Sequence, residues 1–295
     1  VYITNSDADT VSVIDRKSRK VVRTFPVGDY PHHMLHSLDG KSLYVGNTHS
    51  DSLTVVDLAT HRPVRVIPNI LDPYNFFYDP PRRHVVVTCT RKGFVEVYEA
   101  RTLKKLRRIP TGKEPNHFAF GAGGSLLFVT NERSHTVSVI DARRWKLAKQ
   151  IPVGLRPVDA HLGPDKREVF VALYGEGKVA VLDVGTLEVK EKFATGKGAH
   201  GLALSPDGKV LFVSNRNANT VSAVDPASRT VLAQIPVPGG PDMMGVTPDG
   251  GELWVTSRYG AYVHVVDAWE LKVLARIRVG AAPHGVTFSW ASGHH

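Results

Sequence analysis

His200, Asp242 and His284 follow one another at intervals of 42 residues, and His32 opens a matching PHH run near the start of the chain. Imidazole and carboxylate suit zinc, copper, iron or manganese as ligands, and the same groups carry protons in general acid–base chemistry. One residue further along the same segments stand His33, His117 and Asp159, where two of the segments carry Gly201 and Gly285. Large polar groups in place of glycine need room, which makes them candidates for a ligand site. Five arginines complete the set: Arg91, Arg133, Arg156, Arg216 and Arg258. Guanidinium groups recognise carboxylates and phosphates through paired hydrogen bonds, so an anionic ligand beside the histidines is a natural expectation.

Residues so far apart in sequence act together only if a repeating scaffold returns them to one place. A grid of 42 residues aligns Asn5, Asn47, Cys89, Asn131, Leu173, Asn215 and Ser257, each closing a β-branched or aromatic run. It also aligns Asp15, Asp57, Glu99, Asp141, Asp183, Asp225 and Asp267 after a second run such as TVSVID. Glycines follow a third run and prolines precede a fourth. Each unit therefore reads as four short strands, A to D, parted by turn residues. In SPDG (205 to 208), Pro fixes one turn dihedral and Gly tolerates another, which predicts the A to B hairpin. Four strands per repeat of this length mark a β-propeller blade.

The expected fold is all-β, a single seven-bladed propeller of antiparallel four-stranded blades over residues 1 to 291, with 292 to 295 as a tag remnant or tail. The sequence opens on a strand B, VYITN, and closes on a strand A, HGVTFS at 284 to 289. The last strand then completes the first blade and closes the ring without an open seam. Val1 already lies in a strand pattern, so any export signal is expected to have been removed or to lie outside this sequence.

In a propeller the A strands line the central channel, and the D to A and B to C loops crowd one mouth. Read around the ring from blade one, the first residues of strand A are His284, His32, Tyr74, Asn116, Val158, His200 and Asp242. Blades six, seven, one and two are contiguous, so His200, Asp242, His284 and His32 form an arc and a candidate metal site. The condition is that their side chains reach one ion at roughly 2 Å per bond. Otherwise each histidine reads as a buried, hydrogen-bonded residue and each arginine as a solvated loop side chain. His161 continues the stripe down the channel, and Tyr30, Tyr74, Tyr174 and Tyr259 fall near the same face.

LYVGN, LFVTN and LFVSN, with the downstream TVSVID, the VG pair and PHG at the next strand, resemble the YVTN-type seven-bladed β-propeller repeat family over nearly the whole chain. The resemblance implies an often exported protein, periplasmic or extracellular. Family members include surface-layer components, periplasmic proteins and one nucleic-acid binder, so the resemblance specifies fold more than role.

Lys and Arg number 37 against 28 Asp and Glu, a surplus of nine with a pI near 9.6. That favours an anionic small molecule, an acidic protein surface or nucleic acid as partner. Basic clusters such as RTLKKLRR (101 to 108) fall at outer strands, where charge guards an edge. Cys89, the sole cysteine, excludes an internal disulfide and a cysteine-built metal site. No apolar run is long enough to span a membrane. No GxSxG elbow, HExxH helix or P-loop is present, which favours an exported, monomeric binding module whose His/Arg mouth takes an anionic ligand or partner. The alternative is a metal- or haem-dependent enzyme, an oxidoreductase or a lactonase- or lyase-like activity. Its cofactor would be zinc, copper, iron or a haem.

Overall fold

The computed structural model describes residues 1 to 288. The tail expected at 292 to 295 lies outside the described residues. Seven antiparallel sheets of four strands are arranged as blades, and the sheet of blade one joins Pro283–Thr287 to Tyr2–Asn5, Thr10–Asp15 and Lys20–Pro26. The ring therefore closes by the C-terminal strand, as the offset of the repeat predicts. In blade six the SPDG turn forms with Gly208 at φ 72°, and its N–H bonds the Ser205 carbonyl at 2.8 Å.

Strand B of each blade is covered on both faces, which is why its sequence is a near-continuous apolar run rather than an alternation. Leu211–Asn215 is buried throughout. The core lies between blades: Phe128 of blade four packs with Val169 and Val171 of blade five. Trp254 of blade seven packs with Ile3 and Ile14 of blade one and seals the join. Each fully buried aliphatic side chain contributes roughly 1.5–3 kcal/mol. The outermost strands are exposed and basic, as in Lys105–Pro110, so their free edges are guarded by charge.

The asparagine that ends strand B is a latch. Asn131 Nδ2 donates to Thr136 Oγ1 at 3.0 Å and Ser138 Oγ at 2.9 Å, while its Oδ1 accepts the Gly112 N–H at 3.1 Å. Asn5 makes the same set with Thr10, Ser12 and Gly280. A Cβ on Gly112 would lie 2.7 Å from the Asn131 Cβ, so this loop needs glycine for close approach.

Two devices aim strand A at the channel. A hydroxyl on the residue just before the latch position bolts one blade to the next: Thr4 Oγ1 donates to the His32 carbonyl at 2.7 Å, and Ser214 Oγ to the Asp242 carbonyl at 2.6 Å. Strand A also carries a register shift at its start. In blade two Pro31 pairs with Asn47 but Met34 with Val45, so His32 and His33 oppose Gly46 alone. The same shift recurs in blades six and seven around His200 and Asp242. A bulge of this kind re-aims side chains, and here it turns the first residues of strand A into the mouth.

Candidate ligand site at the channel mouth

His200, Asp242, His284 and His32 are all buried and lie along one arc, each on the second position of its strand A, after Ala199, Pro241, Pro283 and Pro31. Asp242 is the hub. His284 Nδ1 faces its Oδ2 at 2.9 Å, His200 Nδ1 lies 3.1 Å from its Oδ1 but out of line for a hydrogen bond, and Arg258 reaches Oδ2 at 3.4 Å. Arg216 donates a short hydrogen bond to Oδ1 and a second, at 2.6 Å, to His200 Nε2. Arg258 also donates to the Tyr30 hydroxyl. Both guanidiniums come from the residue after strand B in blades six and seven, and both are largely enclosed, with side chains 15% exposed.

The electrostatics follow from this enclosure. Burial holds His32, His33 and His200 well below the ordinary imidazole value, with neighbouring imidazoles and Arg216 adding to the effect. Burial also lowers His284 to about 4, although Asp242 works the other way. Burial pushes Asp242 upward, but Arg216, His284 and His200 outweigh it and keep the carboxylate ionised. At neutral pH four imidazoles are therefore uncharged, and two guanidiniums share one carboxylate. The mouth carries one positive charge too many, and the Arg216 Nε is buried without a partner.

His32, His200, His284, Arg216 and Arg258 line a cavity of about 160 Å³ together with Tyr74, Asn116, Glu132, Arg156 and Tyr174. Arg156 is neutralised there by Glu132, with Nε to Oε1 at 2.9 Å, and its guanidinium lies over the Tyr174 ring. A groove of about 570 Å³ near Val1, Arg16 and His61 is larger but brings together no buried charged cluster. Tyr30 and Arg156 occupy the position before strand A, which is left-handed in every blade: Tyr30, Asp72, Glu114, Arg156, Gly198, Gly240 and Ala282. Strained backbone held at a mouth is a familiar companion of binding sites.

Just inside the mouth is an imidazole group. His33 Nε2 lies 2.8 Å from His117 Nε2 and 3.3 Å from His284 Nε2, and the His32 and His284 rings, tilted 32° to each other, have centroids 3.5 Å apart. One ring nitrogen from each of His32, His33 and His284 falls within 4.8 Å of the others, a spacing that could hold a metal ion. Among the described residues this is the one such group; of the arc of four it contains His32 and His284, while Asp242 and His200 are engaged by the guanidiniums.

Other candidates sit elsewhere. Asp159 accepts the N–H groups of Ala160 and Leu202 at 2.8 Å each, a role in joining blades. Arg91 is tied to Asp72, and Arg133 is bound at 2.7 Å to Glu114, with 73% of its side chain exposed; neither lines the cavity. His161 bonds the Leu162 carbonyl, and Tyr259 packs against Gly240. Glu132 and Asn116 were missed as site residues. Glu132 occupies the same repeat column as Arg216 and Arg258, which is the signal that would have found it.

Fold and site together define a seven-bladed β-propeller with buried imidazole and guanidinium groups gathered at the start of its A strands. The chain belongs to the YNCE-like β-propeller family, whose sequence model matches residues 1–294, a family close to the YVTN type that its repeats resemble. Proteins named "Uncharacterized protein YncE" from Salmonella typhi and Salmonella typhimurium are each 49% identical over 43 residues, 15% of this chain and 12% of theirs. The match thus spans about an eighth of those relatives. Among solved structures, Kuenenia stuttgartiensis hydrazine synthase has a TM-score of 0.76 at 21% identity, covering 88% of this chain and 89% of that one. Dihydro-heme d1 dehydrogenase NirN in complex with DHE has 0.74 at 16%, covering 96% and 74%. A functionally unknown protein from Desulfotomaculum acetoxidans has 0.78 at 16%, covering 96% and 98%. At these identities the likeness is one of fold. No helix among the described residues is long and apolar enough to cross a membrane.

Proposed function

We propose that this protein is an exported binding module whose channel mouth takes a small monoanion, such as a short carboxylate, between Arg216 and Arg258. The observation that carries this reading is the mismatch of two enclosed guanidiniums against the single carboxylate of Asp242, with Arg216 Nε left unpartnered. An anion supplies the missing charge and the missing acceptor. In an enclosed site such charge-assisted bonds are the strong ones. A cavity of about 160 Å³ is below the 300–1,000 Å³ of pockets for drug-sized ligands, so the ligand has only a few heavy atoms. For the same reason a haem does not fit, although His and Arg are suitable partners for its carboxylates. The enclosure also favours a free anion over the flat acidic surface of a protein partner, and it leaves no groove for nucleic acid. Export, to the periplasm or beyond, is supported by the family alone.

A second reading is a metal-dependent centre, with zinc, copper or iron resident beneath the mouth. It is favoured by the convergence of the His32, His33 and His284 ring nitrogens. The primary reading is tested by thermal unfolding against a panel of formate, acetate, nitrate and sulfate at constant ionic strength. Saturating a site at a hundred times Kd stabilises by about 2.7 kcal/mol. We expect the small monoanions to raise the midpoint of the unsubstituted protein and not of Arg216→Met. Equal effects on both proteins would refute the site.

A further inference from the structure

Resting on the second reading, we propose that one late first-row transition-metal ion of the zinc or copper type is bound by His32, His33 and His284, with an open coordination position facing the mouth cavity. Distances favour such an ion. Two imidazole ligands at a zinc–nitrogen length of about 2.0–2.1 Å in a tetrahedron stand about 3.3 Å apart, which is the separation of His284 Nε2 and His33 Nε2, 3.3 Å.

Hydrogen bonding favours it independently. His32 Nδ1 meets the Tyr74 carbonyl at 3.0 Å, His117 Nδ1 the Val158 carbonyl at 2.8 Å, and His284 Nδ1 the Asp242 carboxylate at 2.9 Å. An oxygen of that kind only accepts, so in the neutral rings of His32 and His117 the proton resides on Nδ1 and the lone pair on Nε2; for His284 the carboxylate at 2.9 Å is a nearer partner of Nδ1 than Arg258 Nη1 at 3.3 Å, which favours the same tautomer. Anchoring the far N–H on a carbonyl or carboxylate is the arrangement that orients metal-binding histidines.

Proton accounting then leaves the empty cluster one donor short. His117 Nε2 and His284 Nε2 both present lone pairs to His33 Nε2, at 2.8 Å and 3.3 Å. The single N–H of His33 satisfies the nearer one and leaves the other facing it without a good donor. A cation removes the conflict between His33 and His284: His33 carries its proton on Nδ1 instead and the three ligand rings offer lone pairs to the ion, while His117 Nε2 gives up the donor it had in His33. His32 and His284 also line the mouth cavity, so a water or the mouth anion completes the coordination. Sites with three protein ligands and one exchangeable position are the catalytic type for zinc.

The test is chelator-stripped protein titrated with zinc(II), copper(II) and cobalt(II), read by calorimetry and by the visible spectrum of the cobalt form. One ion per chain is expected, with the intense visible bands of tetrahedral cobalt. His33→Ala and His284→Ala should each weaken binding about hundredfold or more, and His200→Ala should leave it within a few-fold. Since either variant can lose its fold, ring ¹⁵N spectra of the unsubstituted protein supply a second readout, in which zinc shifts the Nε2 signals of His32, His33 and His284. One ion per chain with affinity unchanged in both variants, or Nε2 shifts confined to other histidines such as His294 and His295, overturns the ligand set and spares the metal reading. No stoichiometric binding by the unsubstituted protein overturns both, and leaves the anion reading standing.

Discussion

Replacing Asp242 with asparagine changes almost no volume and removes the one charge that holds the mouth together. Asp242 is fully buried and faces Arg216, Arg258, His284 and His200. An amide offers one oxygen where the carboxylate offered two, and it turns an N–H₂ donor toward either Arg216 or the Arg258–His284 pair. Leaving buried charge uncompensated costs about 3–5 kcal/mol, a large part of the roughly 5–15 kcal/mol by which a domain is stable. At about 2–4 °C per kcal/mol for larger domains, Asp242→Asn should lower the thermal midpoint by about 10 °C. The same substitution leaves both guanidiniums free for an anion, so affinity for acetate should rise about tenfold or more, equivalent to about 1.4 kcal/mol. Calorimetric unfolding with and without acetate reads both effects: a destabilised protein that acetate rescues more strongly than it stabilises the original. Stability within about 1 kcal/mol of the original, with unchanged acetate response, would refute the charge accounting.

Acid should unfold the protein through its buried imidazoles. Folding depresses His32, His33, His200 and His284 from 6.5, so below about pH 6.5 the unfolded chain binds protons that the folded protein refuses. Each costs about 1.4 kcal/mol per pH unit in that window, on the order of 5 kcal/mol per unit for the four together. Urea midpoints should be flat above pH 7 and fall steeply from pH 6 to 4.5, ahead of the carboxylates; pH-independent midpoints down to 5 would contradict this. Asn131→Ala breaks three latch hydrogen bonds and strands the Gly112 N–H, and should cost about 2–3 kcal/mol by denaturant unfolding without changing acetate affinity. Gly285→Ala places a Cβ 2.4 Å from the His32 carbonyl oxygen; it should separate blades one and two and reduce metal affinity and stability together.

The fold was legible because a propeller repeats its instructions. Proline at the head of strand A in six of the seven blades, the Thr–Val–Ser strand C and the asparagine latch recur in register, and the offset of the first strand foretold that the last strand completes blade one, where Ile3 pairs with Val286. The arc from His200 to His32 was legible for the same reason, since neighbouring blades turn matching positions toward one axis. What the periodicity could not convey is which atoms meet. Asp242 has the residue type and place of a metal ligand, but Arg216 and Arg258 in the adjacent loop column reach it first, and that depends on side-chain length and direction. His33 gained its place from a bulge and from the missing side chain at Gly285, neither of which follows from a residue count. Arg91 and Arg133 fall in the right loops, yet Asp72 and Glu114 capture them, and pairing across a loop leaves no mark on a repeat grid.

The most direct measurement is a crystal of the unsubstituted protein grown with sodium bromide, in which anomalous scattering places the small monoanion. A single strong bromine peak in the mouth cavity, held by Arg216 Nε and Arg258, is the predicted result. Bromine peaks confined to the basic outer strands and turns, with the mouth cavity empty, would contradict it.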